Sequence, residues 1–343
     1  MTAKDNWGDE AHIYLERYFA KNRIDITVPK FKNIGYWFKP RVIFELQLIK
    51  NAIGTITNDN IRKFMLIAFS ESIRLVSNRR NGEFKMFRIP PQKIENHNPD
   101  VKNEFFKILK RNVEKMNSFY DALGIATVTD VHIFSDNATS LANVPNGSID
   151  LVLTSPPYGD SRTTVAYGEF SRLSLQWIDL FNLGDKEIMD IDKSLMGGQK
   201  YRNGFEYTLD SPTLRRSLEA IKEADIERAG DVFSFYSDLD KSLSAISEKT
   251  KQGGYHFWVV GNRTVKNCKL FTDVIIIELG KKYGLQHIYT INRDISNKVM
   301  PSRNSPTNVT GNTVETMVNE HIVVLRASFK TRHRHLSIKG DLT

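Results

Sequence analysis

Residues 149–164 read IDLVLTSPPYGDSRTT: an apolar run, then a serine, two prolines and a tyrosine. Each proline fixes φ and removes a backbone N–H, so the carbonyls around it are left available as acceptors. A carbonyl and a serine hydroxyl can accept hydrogen bonds from an exocyclic amino group. Tyr158 adds a flat face on which a base drawn out of its helix can stack. Ser155-Pro156-Pro157-Tyr158 therefore reads as a clamp for a flat, amino-bearing ring, with a Pro-Pro loop and a packed tyrosine as the alternative.

Such a clamp needs a sheet to carry it. IDLVLTS (149–155) is a nearly continuous apolar strand of the kind covered on both faces, and the loop after a strand's carboxyl end is where α/β sheets bind ligands. VTDVHIFSD (128–136) reads as a preceding strand ending at Asp136, and NATSLANVPNGS (137–148) as a short helix and turn. Residues 229–254 read as a helix stopped by the pair Gly253-Gly254, and YHFWVVGN (255–262) as a second buried strand. A helix over 269–284 stops at Gly284. LQHIYTINRDI (285–295) and NEHIVVLRA (319–327) then read as two strands that pair antiparallel near the sheet edge. Strands alternating with helices predict an α/β fold. Residues 1–120 read instead as mostly helical, with apolar spacings of three or four over 40–54, 58–76 and 99–123 and a polar loop or hairpin over 78–99.

The 343 residues carry a net charge of +8, with basic clusters at 74–88, 292–303 and 326–340. A solvated basic surface accounts for any one cluster. Three together point to a polyanionic partner, of which nucleic acid is the commonest. One cysteine, Cys268, allows neither an internal disulfide nor a Cys-rich metal site, and the histidines show no HxxxH or HExxH spacing. No run approaches a membrane span of about eighteen apolar residues, and no secretory signal pattern opens the chain. The expectation is a cytoplasmic, metal-free protein.

TSPPY after an apolar strand resembles the catalytic motif of the S-adenosylmethionine-dependent DNA amino-methyltransferases of restriction–modification systems, which methylate cytosine N4 or adenine N6. YGEFSRLSLQW (167–177), SLMGG (194–198), YHFWVVGNRTV (255–265), NRDISNKVMPSRNSP (292–306) and NEHIVVLR (319–326) resemble the later blocks of that family in their usual order. The resemblance runs from about residue 128 to 327 and implies part of a Rossmann-like methyltransferase sheet: central strands plus an antiparallel pair, with a helical N-terminal region. The implied division is a helical region over 1–120, a candidate for DNA or partner contact, a catalytic region over 121–330 with an insertion at 160–230, and a basic tail over 331–343.

By the same resemblance, Ser155, Pro156, Pro157 and Tyr158 form the catalytic set, the serine and the Pro156 carbonyl holding the target amino group while Tyr158 stacks on the flipped base. S-adenosyl-L-methionine is the implied cofactor, with Asp136, Thr154 and Ser155 beside it, although Asp136 reads equally as a cap for the residues that follow. Double-stranded DNA is the implied substrate, with Arg79, Arg80, Arg162, Asn262, Arg293 and Lys298 as its contacts. Transfer to an exocyclic nitrogen is a direct in-line displacement without a covalent enzyme intermediate. Methylation at cytosine carbon 5 requires an attacking thiolate, and Cys268 sits in KNCKL without a Pro-Cys loop. Ser155 before the prolines favours cytosine N4 over adenine N6 and disfavours RNA or protein amide methylation.

One part is missing. The family's FxGxG loop, where glycine lets the backbone approach the cofactor, occurs nowhere in the sequence. The reading is therefore half of a split enzyme whose partner subunit or companion chain brings that loop, with an inactive remnant or a non-catalytic DNA-recognition subunit as the alternatives. A sheet edge left bare by such a split exposes unpaired backbone and apolar surface.

Overall fold

The computed structural model describes residues 27–82, 85–123, 129–160, 166–179, 183–201, 204–295, 303–304, 314–315 and 319–328. The chain divides into two compact units: residues 1–131 with 165–192, and residues 132–164 with 193–343.

The first unit is helical. Helix α1 (Pro40–Gly54) opens on a proline, whose missing N–H costs nothing at that position. Helix α2 (Asp59–Val76) is capped by Asn58, whose side chain accepts from the N–H groups of Asn60 and Ile61 at 3.0 and 3.1 Å. Helix α3 (Val101–Leu123) buries only its first turns, through Val101, Phe105 and Ile108. Its later residues Val113, Met116, Phe119, Tyr120 and Leu123 are exposed. Helices α4 (Tyr167–Ile178) and α5 (Asp185–Ser194) were not legible in the sequence. Helix α4 supplies Trp177, fully buried and met edge-on by Phe31, Phe38 and Phe69.

The second unit holds a mixed sheet. Strand β1 (Ile149–Thr154) is followed by helices α6 (Pro212–Ala224) and α7 (Ile226–Lys249), which lead into β2 (Thr250–Gly261), parallel to β1. A hairpin of β3 (Arg263–Val265) and β4 (Cys268–Leu270) precedes helix α8 (Thr272–Lys281) and strand β5 (Leu285–Asp294). A short ladder of β6 (Arg303–Asn304) and β7 (Val314–Glu315) precedes β8 (Asn319–Ala327), which inserts antiparallel between β2 and β5. The sheet order is β1-β2-β8-β5, so the expected antiparallel pair is present and, among the described residues, β1 is an edge. Trp258, Val260, Val323 and Leu325 are buried on one face, in one core cluster with Leu214 and Leu218 of α6, Leu239 and Leu243 of α7, and Ile275 and Leu279 of α8.

Three expectations are corrected. Residues 129–135 form no strand, and 137–148 form turns rather than a helix. Gly253 and Gly254 lie inside β2, because α7 ends at Lys249. There a Cβ on Gly254 would sit 3.0 Å from the Asp150 carbonyl oxygen, where the β1–β2 register shifts. That glycine serves a close backbone approach, not a helix stop.

His256 is fully buried, with Thr250 Oγ1 2.9 Å from Nε2. Burial lowers its pKa from 6.5 to about 4. The unfolded chain takes up a proton at this residue below its ordinary pKa and the folded protein does not, so stability is full above that value and is lost as pH falls toward 4. The expected loss from this residue is up to about 3 kcal/mol. The urea midpoint of wild type should therefore fall relative to that of His256→Leu as the pH is lowered; a difference that stays constant with pH would contradict the assignment.

Candidate active site

Because β1, β2 and β5 run in one direction and β8 against them, the ends of the first three and the start of β8 meet at one end of the sheet. Ser155-Pro156-Pro157-Tyr158 leaves β1 there. Thr154 is partly buried opposite Trp258, Ser155 is exposed, Pro156 is buried, and Pro157 and Tyr158 are half-buried.

The Tyr158 hydroxyl donates to Glu320 Oε1 at 2.5 Å. Burial, then the Glu320 carboxylate, pushes the phenol up to about 12, while a hydrogen bond from Ser155 acts the other way. Glu320 sits on β8 opposite Gly261 of β2 and Arg293 of β5, and it is ion-paired with Arg293. The hydrogen bond from Tyr158 and the Arg293 guanidinium hold its carboxyl below the usual range.

A second polar cluster lies one residue along. His321 Nδ1 is 2.8 Å from Asn292 Oδ1, and His321 Nε2 is 3.2 Å from Asn262 Nδ2. Those partners fit a ring that carries its proton on Nδ1 and accepts at Nε2. Asn262 Oδ1 accepts from the Asp273 N–H at 3.4 Å, at the start of α8.

Behind the loop, Asp160 is 1% exposed and lies 3.2 Å from Arg228 of α7 and 3.6 Å from Arg263 of β3. Burial and the neighbouring Arg228 lower the Arg263 pKa, and Asp160 opposes them. Gly197 (φ +71) passes so close that its Cβ would lie 2.9 Å from Asp160 Cβ. The residue two positions after Tyr158 is thus locked into the protein, and the loop with it.

The other expected site residues fall as follows. Asp136 is exposed and accepts from the N–H groups of Asn137 and Asn143 at 2.7 and 3.0 Å; those backbone bonds, Asn143 first, lower its pKa. It organises a turn, close to its alternative reading as a cap. Asn262 and Arg293 come to the Tyr158 end of the sheet. Arg80 is exposed, its guanidinium 5.8 Å over the Phe87 ring. Arg79 is a correction: it is 3% exposed, 5.8 Å over the Phe170 ring that Arg74 also covers at 3.2 Å, and so is not presented to a duplex. Arg162 and Lys298 lie outside the described residues. Sequence reasoning missed Glu320, Asp160, Arg228, Arg263 and His321. The only signal for the first was its place at the head of an apolar strand, NEHIVVL.

Among the described residues no group of three or more His, Cys, Asp or Glu side chains could hold a metal ion, and no helix is long and apolar enough to cross a membrane.

No family model matches the chain. A Thermus thermophilus protein, TTHA0409, described as a DNA modification methylase, aligns at 17% identity and a TM-score of 0.27, covering 57% of this chain and 51% of that one. Its complex with S-adenosyl-L-methionine aligns at 18% identity and a TM-score of 0.28, with the same coverage. This chain thus spans about half of those solved chains, and at such scores the likeness carries no argument. Over 310 residues the chain is 45% identical to the type II methyltransferase M.MvaI of Kocuria varians, a match that spans 88% of this chain and 68% of that protein. A likeness of that extent places the chain in the type II methyltransferase family.

Proposed function

We propose that this chain is the base-clamping part of a DNA amino-methyltransferase, which transfers a methyl group from S-adenosyl-L-methionine to the exocyclic nitrogen of a base flipped out of the duplex. Cytosine N4 is the proposed target, with adenine N6 as the second reading. The observation that carries the proposal is Ser155-Pro156-Pro157-Tyr158, set at the carboxyl end of β1 with its tyrosine fixed by Glu320.

In this reading the Ser155 hydroxyl and the Pro156 carbonyl accept the two amino hydrogens. That raises electron density on a nitrogen otherwise conjugated into its ring. Tyr158 stacks on the base and holds it for in-line attack. The cofactor supplies a methyl group on a positively charged sulfur. The net charge of +8 and the exposed Arg80 suit a duplex partner.

No FxGxG loop occurs in this sequence. We assign that loop to a second subunit or companion chain docked at β1. Two observations support the assignment. First, among the described residues β1 is a parallel strand at the sheet edge, where parallel strands are ordinarily buried. Second, Leu151 and Leu153 of that strand are 58% and 73% exposed.

The test is the modified nucleoside itself. DNA methylated by the complete enzyme is digested and its bases are separated by mass spectrometry. N4-methylcytosine is the expected product. N6-methyladenine would replace the cytosine assignment, and 5-methylcytosine would overturn the chemistry.

A further inference from the structure

Tyrosine on a loop turns freely about two side-chain torsions, and a stacking platform is useful only if its plane is set before the base arrives. Here the Tyr158 hydroxyl donates at 2.5 Å to Glu320, and Glu320 is itself held by Arg293 on the adjacent strand. All three come together because β8 lies between β2 and β5, with Glu320 in register with both Gly261 and Arg293. A hydrogen bond to an ionised carboxylate belongs to the strong class. The carboxyl stays ionised at neutral pH, and the phenol stays protonated, so the phenol is always the donor.

From this geometry, and resting on the methyltransferase reading above, we propose that Glu320 and Arg293 are positioning residues for the base clamp: the carboxylate fixes the Tyr158 ring and the guanidinium fixes the carboxylate. Arg293 then leaves the set of expected DNA contacts. Its side chain is 57% exposed, yet its guanidinium is committed to Glu320.

The test uses the active complex with Tyr158→Phe, Glu320→Gln, their double variant and Arg293→Ala, read by single-turnover methyl transfer, DNA affinity against salt, and fluorescence of a base analogue at the target position. Tyr158→Phe keeps the stacking face and Glu320→Gln keeps the shape, so folding is preserved and melting curves verify it. Each single change should slow transfer by about tenfold or more while DNA affinity stays within about twofold. The double variant should be no slower than the slower single, because both break one contact. Arg293→Ala should slow transfer and leave the salt dependence of DNA binding unchanged. Additive losses in the double variant would overturn the assignment, as would a salt slope that falls by about 0.9 in Arg293→Ala, the mark of a lost phosphate contact. A wild-type complex that transfers no methyl group would overturn the functional reading and this assignment with it, whereas the other contrary results sink the assignment alone.

Discussion

Tyr158→Ala is expected to slow methyl transfer about a hundredfold while the protein stays folded and still binds duplex DNA. Base–aromatic stacking contributes roughly 1–3 kcal/mol per base, and removing the ring also removes the group that Glu320 holds in place. A positioning error of about an ångström in such a reaction costs on the order of a hundredfold in rate. Tyr158 is half-buried, so the truncation leaves a shallow surface notch instead of a core cavity. Duplex affinity rests mainly on phosphate contacts elsewhere and should change little. Single-turnover transfer and a melting curve on the same preparation decide the matter. A rate within a few-fold of wild type would mean that the tyrosine is only packed.

The second large effect is on stability. Asp160→Ala leaves Arg263, whose side chain is 17% exposed, without the carboxylate 3.6 Å away. Arg228 keeps Asp231 at 3.1 Å, so the uncompensated charge falls chiefly on Arg263. Breaking a buried pair by removing one partner costs about 3–5 kcal/mol, far more than the intact pair contributes over a well-packed apolar substitute. The urea midpoint should fall with the slope of the transition unchanged. Methyl transfer should fall as well, since Asp160 ties down the loop that begins at Ser155. Asp160→Asn keeps the volume but not the charge and should recover little of the loss; full recovery would mean that shape, not charge, matters at this position.

Much of the sheet was legible because its signals are local. An apolar run, a double proline and a tyrosine at 149–158 are visible without any knowledge of distant residues. The strands at 255–261, 285–294 and 319–327 announce themselves in the same way. What could not be read is what depends on register. Glu320 meets Tyr158 across 162 residues of sequence, through the insertion of β8 between β2 and β5. Asp160 meets Arg263 only because the hairpin after β2 returns to the loop. Local reading also misled in instructive ways. Arg79, in a basic run, looked like surface, but its cation rests near Phe170 from a distant helix. VTDVHIFSD had the composition of a strand, but its described residues have no ladder partner, and composition cannot supply one.

The most direct test of the account is methyl transfer from labelled S-adenosyl-L-methionine to duplex DNA, by this chain alone and together with a companion that carries the FxGxG loop. The account predicts label in DNA only when both are present, and its loss with Tyr158→Ala. Transfer by this chain alone would contradict the assignment of the cofactor loop to a companion. No transfer in either case, with sequence-specific DNA binding indifferent to Tyr158→Ala, would contradict the base clamp and leave a recognition subunit.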